Sequence, residues 1–465
     1  MNAPRRARAA ARIAAARLLA ALLSATLLAF VPVRDLQAAT RRQPFVLLLS
    51  IDGLKPEAVL DASEHGLKVP NLRALLIDGS YATGVRGVMP TVTYPSHTTL
   101  LTGVSPARHG IHANTTFDPL RSNQRGWYWY SEDVRVATLW DAASQAHLST
   151  ANVHWPVSVG AHITWNLPQI WRTGSEDDLK LQRALGTPDL ERSLTATLGR
   201  YPGGEEETVS ADEIRMRFAI RLLELHKPDF MTVYMTGLDT QQHATGPFSP
   251  EANAVLERID AQVGALRAAA NRVAPGRAIL CVVSDHGFAA IGHDVNLLSA
   301  FIQAGLVEVD GTGAVTAWKA APWAAGGSIA IVLADPADAA VRQRVQRLLE
   351  FLAADPSNGI ERILSAAEIA AAGGFPEAAF LVALRSGYEY GDHLSGPLIS
   401  APGNQGMHGY PPDHPDMRSA FFLVGPGIPA GHTLGEIDMR QIAPTLARIL
   451  QVSLPAAEQP ALELH

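Results

Sequence analysis

Cysteine is almost absent from this chain of 465 residues: Cys281 is the only one, so no internal disulfide can form. Beyond the first forty residues no apolar run is long enough to cross a membrane, and there is no internal repeat or low-complexity linker. Basic side chains are the scarcer sign, with 38 Lys and Arg against 45 Asp and Glu. Residues 1–38 take six of the arginines and one aspartate, which leaves the remainder 32 basic and 44 acidic side chains, a net of −12. Such a field is unsuited to binding long nucleic acid. A small anionic substrate is still served if metal ions supply local positive charge.

What is present begins with a leader. Arg5, Arg6, Arg8, Arg12 and Arg17 precede a short apolar run, Leu18 to Val31, with small residues at Ala38 and Ala39. This predicts a signal peptide over 1–38 and an exported protein, periplasmic or secreted, with no membrane span once the leader is removed. An uncleaved anchor is the other reading. The rest, 39–465, is expected to form one catalytic domain, with insertions near 120–210 and 297–403.

Phe45–Ile51, Phe230–Met235 and Ala278–Ser284 are continuous apolar runs of the kind buried parallel strands show, and Ser328–Leu333 reads as a fourth. Helical periodicity falls between them, over 70–78, 211–226, 256–266 and 341–352. Alternating strands and helices predict an α/β fold, a three-layer α/β/α sandwich around a mostly parallel sheet. The Gly- and Ala-rich stretch 371–403 is expected at the surface. Cys281, inside an apolar run, is expected to be buried.

The chemistry-bearing residues follow the strands. Asp52 comes just after the first run, Asp239 and His243 after the second, and Asp285 and His286 after the third, where open α/β sheets bind ligands. Asp239 and His243, four apart, share one helix face. His408 is a further candidate. Carboxylates with imidazoles suit zinc, with manganese or iron as weaker options. Thr93 is followed by Pro95, a residue suited to the first helical position, and Gly103 can cap the helix end. A hydroxyl there lies in the positive field of a helix start and suits attack on a phosphate, although a threonine N-cap explains the same pattern. Six tryptophans between Trp127 and Trp171, Trp155 among them, serve either as core or as the wall of a pocket that stacks a flat ring.

Together Ile51-Asp52-Gly53, Pro90-Thr91-Val92-Thr93-Tyr94-Pro95-Ser96-His97, His109 to Asn114, Asp239 with His243, Ser284-Asp285-His286-Gly287 and Met407-His408-Gly409 resemble the nucleotide pyrophosphatase/phosphodiesterases of the alkaline phosphatase superfamily. Trp155-Pro156 also resembles an element of that family and is carried forward as a substrate contact. The resemblance implies two zinc ions per chain, one on Asp239, His243 and His408 and one on Asp52, Asp285, His286 and Thr93. It implies Thr93 as nucleophile, Asn114 as donor to a phosphoryl oxygen and Tyr94 as the aromatic that stacks a base. His97 matches the motif as a structural residue. The expected activity is hydrolysis of phosphodiester and phosphoanhydride bonds in a nucleotide or another small phosphodiester, releasing a nucleoside 5′-monophosphate. A phosphomonoesterase or a lipid-headgroup phosphodiesterase on the same fold are the alternatives. A sulfatase is disfavoured because Thr93 to His97 lacks the Cys/Ser-x-Pro-x-Arg context. No Lys-x-Arg pair, as monoester-cleaving relatives carry, occurs in 161–171.

Overall fold

The computed structural model describes residues 44–123 and 126–464; the leader, and with it the expected signal peptide, lies outside the described residues. Phe45–Ile51 (β1), Phe230–Met235 (β2) and Ala278–Val283 (β3) form the middle of an eight-stranded sheet, with β1 between the other two and parallel to both. Every residue of the three is buried. Thr150–Val153 and Trp165–Leu167 extend the sheet beyond β2 in the same direction. Beyond β3, Phe421–Val424 runs antiparallel to both of its neighbours.

Side-chain alternation divides the core into two layers. Leu47, Leu49 and Ile51 pack with Leu72, Phe218, Leu222, Leu256 and Ile259 from the helices Pro70–Asp78, Val209–His226 and Pro250–Val273. Val46 and Leu48 face the opposite way and pack with Leu100, Leu139, Trp140, Ile442 and Leu446. Burial on both faces is why the three strands read as unbroken apolar runs. The result is the expected three-layer α/β/α sandwich.

Two expectations change. Ser328–Leu333 is a strand, but it belongs to a separate antiparallel sheet, ordered 320–325, 328–333, 378–384, 360–365. Gly326 and Gly327 turn it back on Ala320–Ala325 as a two-residue hairpin, and a run buried in a small packed sheet looks the same as one in a parallel core. The stretch 371–403 carries Ala378–Leu384, an inner strand of that sheet in which all seven residues are buried.

Register sets up the site. Ile51 pairs with Met235, and Ser50 pairs with both Tyr234 and Val283, so the three strands end at the same level. Asp52, the Gly237–Thr245 helix and Asp285-His286 therefore emerge along one rim of the sheet.

Candidate metal centre and cleft

Three carboxylates and three imidazoles meet at that rim. Asp52 Oδ1 lies 3.3 Å and Asp285 Oδ2 3.2 Å from His286 Nε2. Asp239 Oδ2 lies 3.4 Å from His243 Nε2, and its Oδ1 3.6 Å from His408 Nε2. The rings of His286 and His408 stack, with centroids 3.6 Å apart. Among the described residues two groups are compact enough to hold an ion: Asp52, Asp285 and His286, and Asp239, His286 and His408. The first contains the three expected ligands of one zinc. The second shares His286 with it and leaves His243 beside Asp239, so the two expected sets adjoin.

Each histidine is oriented from behind. Nδ1 of His243 faces the Gly406 carbonyl at 2.9 Å, Nδ1 of His286 that of Gly287 at 3.1 Å, and Nδ1 of His408 that of Thr91 at 3.2 Å. A carbonyl can only accept, so each Nδ1 carries a proton and each ring turns its Nε2 inward, toward the carboxylates. Burial opposes charge on His243 but the Asp239 carboxylate outweighs it and pushes the ring up to about 9; a metal cation at Nε2 would take the place of that proton. The carboxylates agree: Asp52 Oδ1, Asp239 Oδ1 and Asp285 Oδ2 are buried without a hydrogen-bond partner. Burial and the charges of Asp239 and Asp285 push the Asp52 carboxyl well above its ordinary range. Buried carboxylate oxygens without hydrogen-bond partners, set beside imidazole nitrogens, suit divalent ions such as zinc.

Thr93 sits against this centre, its Oγ1 3.5 Å from His286 Nε2. The helix begins at Thr93 itself and runs to Thr102, two residues earlier than Pro95 as first residue would give. Val92, extended, takes the cap position and makes no side-chain cap bond, so the Thr93 hydroxyl is not spent on capping. Gly103, at φ +71°, closes the helix in the left-handed conformation as expected. Asn114 accepts from the Tyr94 N–H at 2.9 Å and points its Nδ2 at Thr93 Oγ1, 3.5 Å away. His97 is fully buried between the Thr93 carbonyl and Ser50 Oγ, both at 2.8 Å, which suits the structural reading.

A cleft of about 320 Å³ opens over the centre. Asp52, Thr93, Tyr94, Asn114, Asp239, His243 and His408 line it. Tyr94 is held by its hydroxyl, which donates to Gln169 Oε1 at 2.9 Å, and by edge-on contact with Trp127 and Trp129. Trp155 does not line the cleft. It is fully buried and edge-on to His97, without an accessible face, so the expectation of a substrate contact there is corrected to a core role. The tryptophan cluster divides: Trp127 faces the cleft, while Trp129, Trp140 and Trp155 are core.

The cleft also has residues that the sequence did not single out as site residues. Gln169, Glu207, Tyr234, Thr236 and Asn404 line it. The Tyr234 hydroxyl donates to Asp52 Oδ2, a contact hidden in the sequence because Tyr234 sits inside a buried strand. Asn404 gives its amide to Glu389, 3.1 Å away. Burial and the Asp239 carboxylate push the Glu207 carboxyl up to about 7. Behind the cleft, Asp212 and Arg215 form a buried pair at 3.3 Å. Asp212 accepts from the N–H groups of Thr236 and Gly237, at 3.2 and 2.8 Å, where the helix bearing Asp239 and His243 starts.

Comparison with known proteins follows the same lines. A family model for type I phosphodiesterase / nucleotide pyrophosphatase matches residues 46–411. Human ectonucleotide pyrophosphatase/phosphodiesterase family member 1 is 27% identical over 253 residues, 52% of this chain and 23% of that protein. Venom phosphodiesterase of Naja atra is 26% identical over 258 residues, 53% of this chain and 26% of that protein. The chain thus spans about a quarter of the length of these curated relatives. Among solved structures, murine ectonucleotide pyrophosphatase/phosphodiesterase 5, an inactive threonine-to-alanine variant in complex with AMP, has the same fold at TM-score 0.64. It is 17% identical, with 91% of this chain and 98% of that chain covered. The human form of that protein gives 0.63 at 18% identity, covering 90% and 97%.

Proposed function

The chain belongs to the type I phosphodiesterase / nucleotide pyrophosphatase family, and from that premise we propose that it is a two-zinc phosphodiesterase acting through Thr93. The observation that carries the proposal is the set of buried carboxylate oxygens without hydrogen-bond partners, gathered with the Nε2 atoms of His243, His286 and His408, with the Thr93 hydroxyl 3.5 Å from His286 Nε2. Asp239, His243 and His408 would hold one zinc, and Asp52, Asp285, His286 and Thr93 the other. Zinc supplies Lewis acidity, lowering the pKa of the Thr93 hydroxyl and offsetting charge on the phosphoryl oxygens.

The remaining work falls to the chain. Thr93 Oγ1 attacks phosphorus in line; the bond to the leaving oxygen breaks, and a phosphothreonine-type diester forms. Asn114, fixed by the Tyr94 N–H, directs Nδ2 at the oxygens of a phosphoryl group seated on Thr93. Tyr234 holds Asp52 through the hydroxyl contact at Oδ2. Water then cleaves the phosphothreonine bond, restoring Thr93 and releasing the monoester. That the inactive murine relative carries a threonine-to-alanine change accords with a threonine nucleophile.

Substrates on this reading are nucleotides or other small phosphodiesters, with Tyr94 and Trp127 beside the phosphate. Diesters are preferred over monoesters because no Lys or Arg among the described residues lines the cleft. The same reading has one catalytic domain, 39–465, with insertions near 120–210 and 297–403, exported after loss of residues 1–38. The test is metal content and turnover of p-nitrophenyl thymidine 5′-monophosphate in one sample, before and after exhaustive chelation. Two zinc per chain, with activity lost on removal and restored on return, is expected; full activity in metal-free protein refutes the proposal.

A further inference from the structure

A second set of oxygen donors lies outside the cleft, on a sheet that takes no part in the metal centre. Asp294 and Glu389 stand opposite one another on the parallel strands Ala289–Val295 and Gly387–Tyr390, so their side chains share one face. Both residues are buried, at 8% and 2% exposure. Burial pushes the Glu389 carboxyl up, and the Asp294 carboxylate adds to it. What opposes burial is Asn404, a neutral residue, rather than a cation.

Asn296, fully buried and two residues beyond Asp294, brings a third oxygen to this pair. Its Nδ2 donates to the Pro397 carbonyl at 3.1 Å and to Ser400 Oγ at 3.0 Å, on the side where Ile399–Ser400 pairs with the strand of Asp294. A carbonyl can only accept, so the amide nitrogen is fixed on that side and Oδ1 turns the other way, toward the strand of Glu389. There Oδ1 is buried without a hydrogen-bond partner. A Cβ at Gly391, two residues beyond Glu389, would lie 2.2 Å from this oxygen and 2.9 Å from Asp294 Cβ. The amide oxygen and Asp294 therefore share the space over Gly391, which the glycine leaves open.

An unpartnered amide oxygen beside two buried carboxylates is an all-oxygen donor set, which suits a hard cation rather than zinc. We propose that Asp294, Glu389 and Asn296 Oδ1 form a calcium site, separate from the catalytic metals. Lone pairs remain for the ion, since an ionised carboxylate offers about four. The Gly403 N–H lies 3.2 Å from each Asp294 oxygen, and Asn404 gives its N–H and its Nδ2 to Glu389, both at 3.1 Å. Water, entering past the exposed Asp392 and Gly403, completes the shell of about six to eight oxygens. The same segment seats His243: the Gln405 N–H donates to the His243 carbonyl at 2.8 Å, and the Gly406 carbonyl faces its Nδ1. Calcium on the carboxylates would clamp this segment beside the cleft that Asn404 lines.

The test is calorimetric titration of zinc-loaded protein with calcium chloride, and with magnesium chloride as the control. One calcium per chain is expected, with Kd about 10⁻⁴ M, the range of sites with few charged ligands. Magnesium, which demands a near-ideal octahedron, should bind at least about tenfold more weakly. Glu389→Gln and Asp294→Asn should each weaken calcium by about tenfold or more, because affinity follows the charge of the ligands. Gly391→Ala keeps both carboxylates but fills the space at Asn296 Oδ1, and it should weaken calcium as well. Calcium should raise the melting temperature of wild type and leave that of Glu389→Gln unchanged. No binding at millimolar calcium, an affinity unchanged in both carboxylate variants, or magnesium bound as tightly as calcium overturns the site; a carboxyl pair that merely shares a proton gives the first of these. If the variants do not fold, hydrogen exchange on wild type decides: calcium should slow exchange at the Gly403 and Asn404 amides, and unchanged exchange there overturns the proposal.

Discussion

Asp212→Asn is the substitution that best separates the support of the centre from the centre itself. Asp212 touches no candidate ligand, yet its two oxygens hold the backbone N–H groups of Thr236 and Gly237, three and two residues before Asp239. Burial outweighs the attraction of Arg215, so the Asp212 carboxyl sits above its ordinary range. The pair is thus costly to desolvate, and removing both members together should be tolerated far better than removing one. Neutralising Asp212 alone strands Arg215, whose side chain is 1% exposed. An uncompensated buried charge costs about 3–5 kcal/mol. Asparagine keeps one acceptor for the backbone, which places the expected loss near the low end, about 3 kcal/mol. Urea denaturation of metal-free protein measures it, and Asp212→Asn combined with Arg215→Met should recover most of the loss as a coupling energy. Zinc affinity should weaken about 10- to 100-fold in the single variant, as for other residues that orient ligands from behind. A single variant within about 0.5 kcal/mol of wild type, with unchanged zinc affinity, would refute this account; that is the size of an ordinary surface substitution.

Thr93→Ala should abolish nearly all turnover while shifting stability by less than about 1 kcal/mol, the value of a helix cap it does not even provide; Thr93→Ser should retain part of the activity, and wild-type turnover in the alanine variant would remove Thr93 from the chemistry. The kcat/KM for p-nitrophenyl thymidine 5′-monophosphate should exceed that for p-nitrophenyl phosphate by on the order of a hundredfold, since two missing charge-assisted contacts of about 1.5–3 kcal/mol each penalise the monoester. A monoester preference would overturn that reasoning. Cys281, fully buried in β3 with its thiol pushed up by burial, should react with a disulfide reagent at least about a thousandfold more slowly in native protein than in urea. Rapid native labelling would show that the central sheet opens readily.

The middle of the fold was legible because physics leaves one reading for it. β1, β2 and β3 are buried on both faces, so nothing polar interrupts them, and an acidic residue just past such a run lies at the sheet rim. The same logic misplaced Ser328–Leu333, since a strand buried between two layers looks alike in either sheet. Ala378–Leu384 was missed because alanine and glycine around it suggested surface, whereas small residues there allow close packing against a neighbouring strand. Thr150–Val153 and Trp165–Leu167, four and three residues long, carry too little pattern to be read. At the site, Asp52, Asp239, His243, Asp285, His286 and His408 stood out by position, and the fold gathers them. Trp155 did not fit its expected place, because a tryptophan's type does not say which side of a wall it occupies. Glu207 was hidden in a triplet of glutamates, where only the three-dimensional path of the loop shows which one faces inward.

The level register of the three strands also fixes when metal can be acquired. The gathered residues run from 52 to 408, and neither compact group can form until β1 has paired with β3 or the 408 segment has closed over the rim. Pairings this distant in sequence form late in folding. Metal therefore cannot nucleate the chain, as it does in small zinc-dependent modules. It enters a finished protein, and its identity is set by the ions present where folding ends. Protein refolded in manganese should keep manganese until zinc displaces it, because raw affinity favours zinc over manganese at nitrogen and oxygen donors. The metal recovered from a purified sample then records the environment in which that sample completed its sheet.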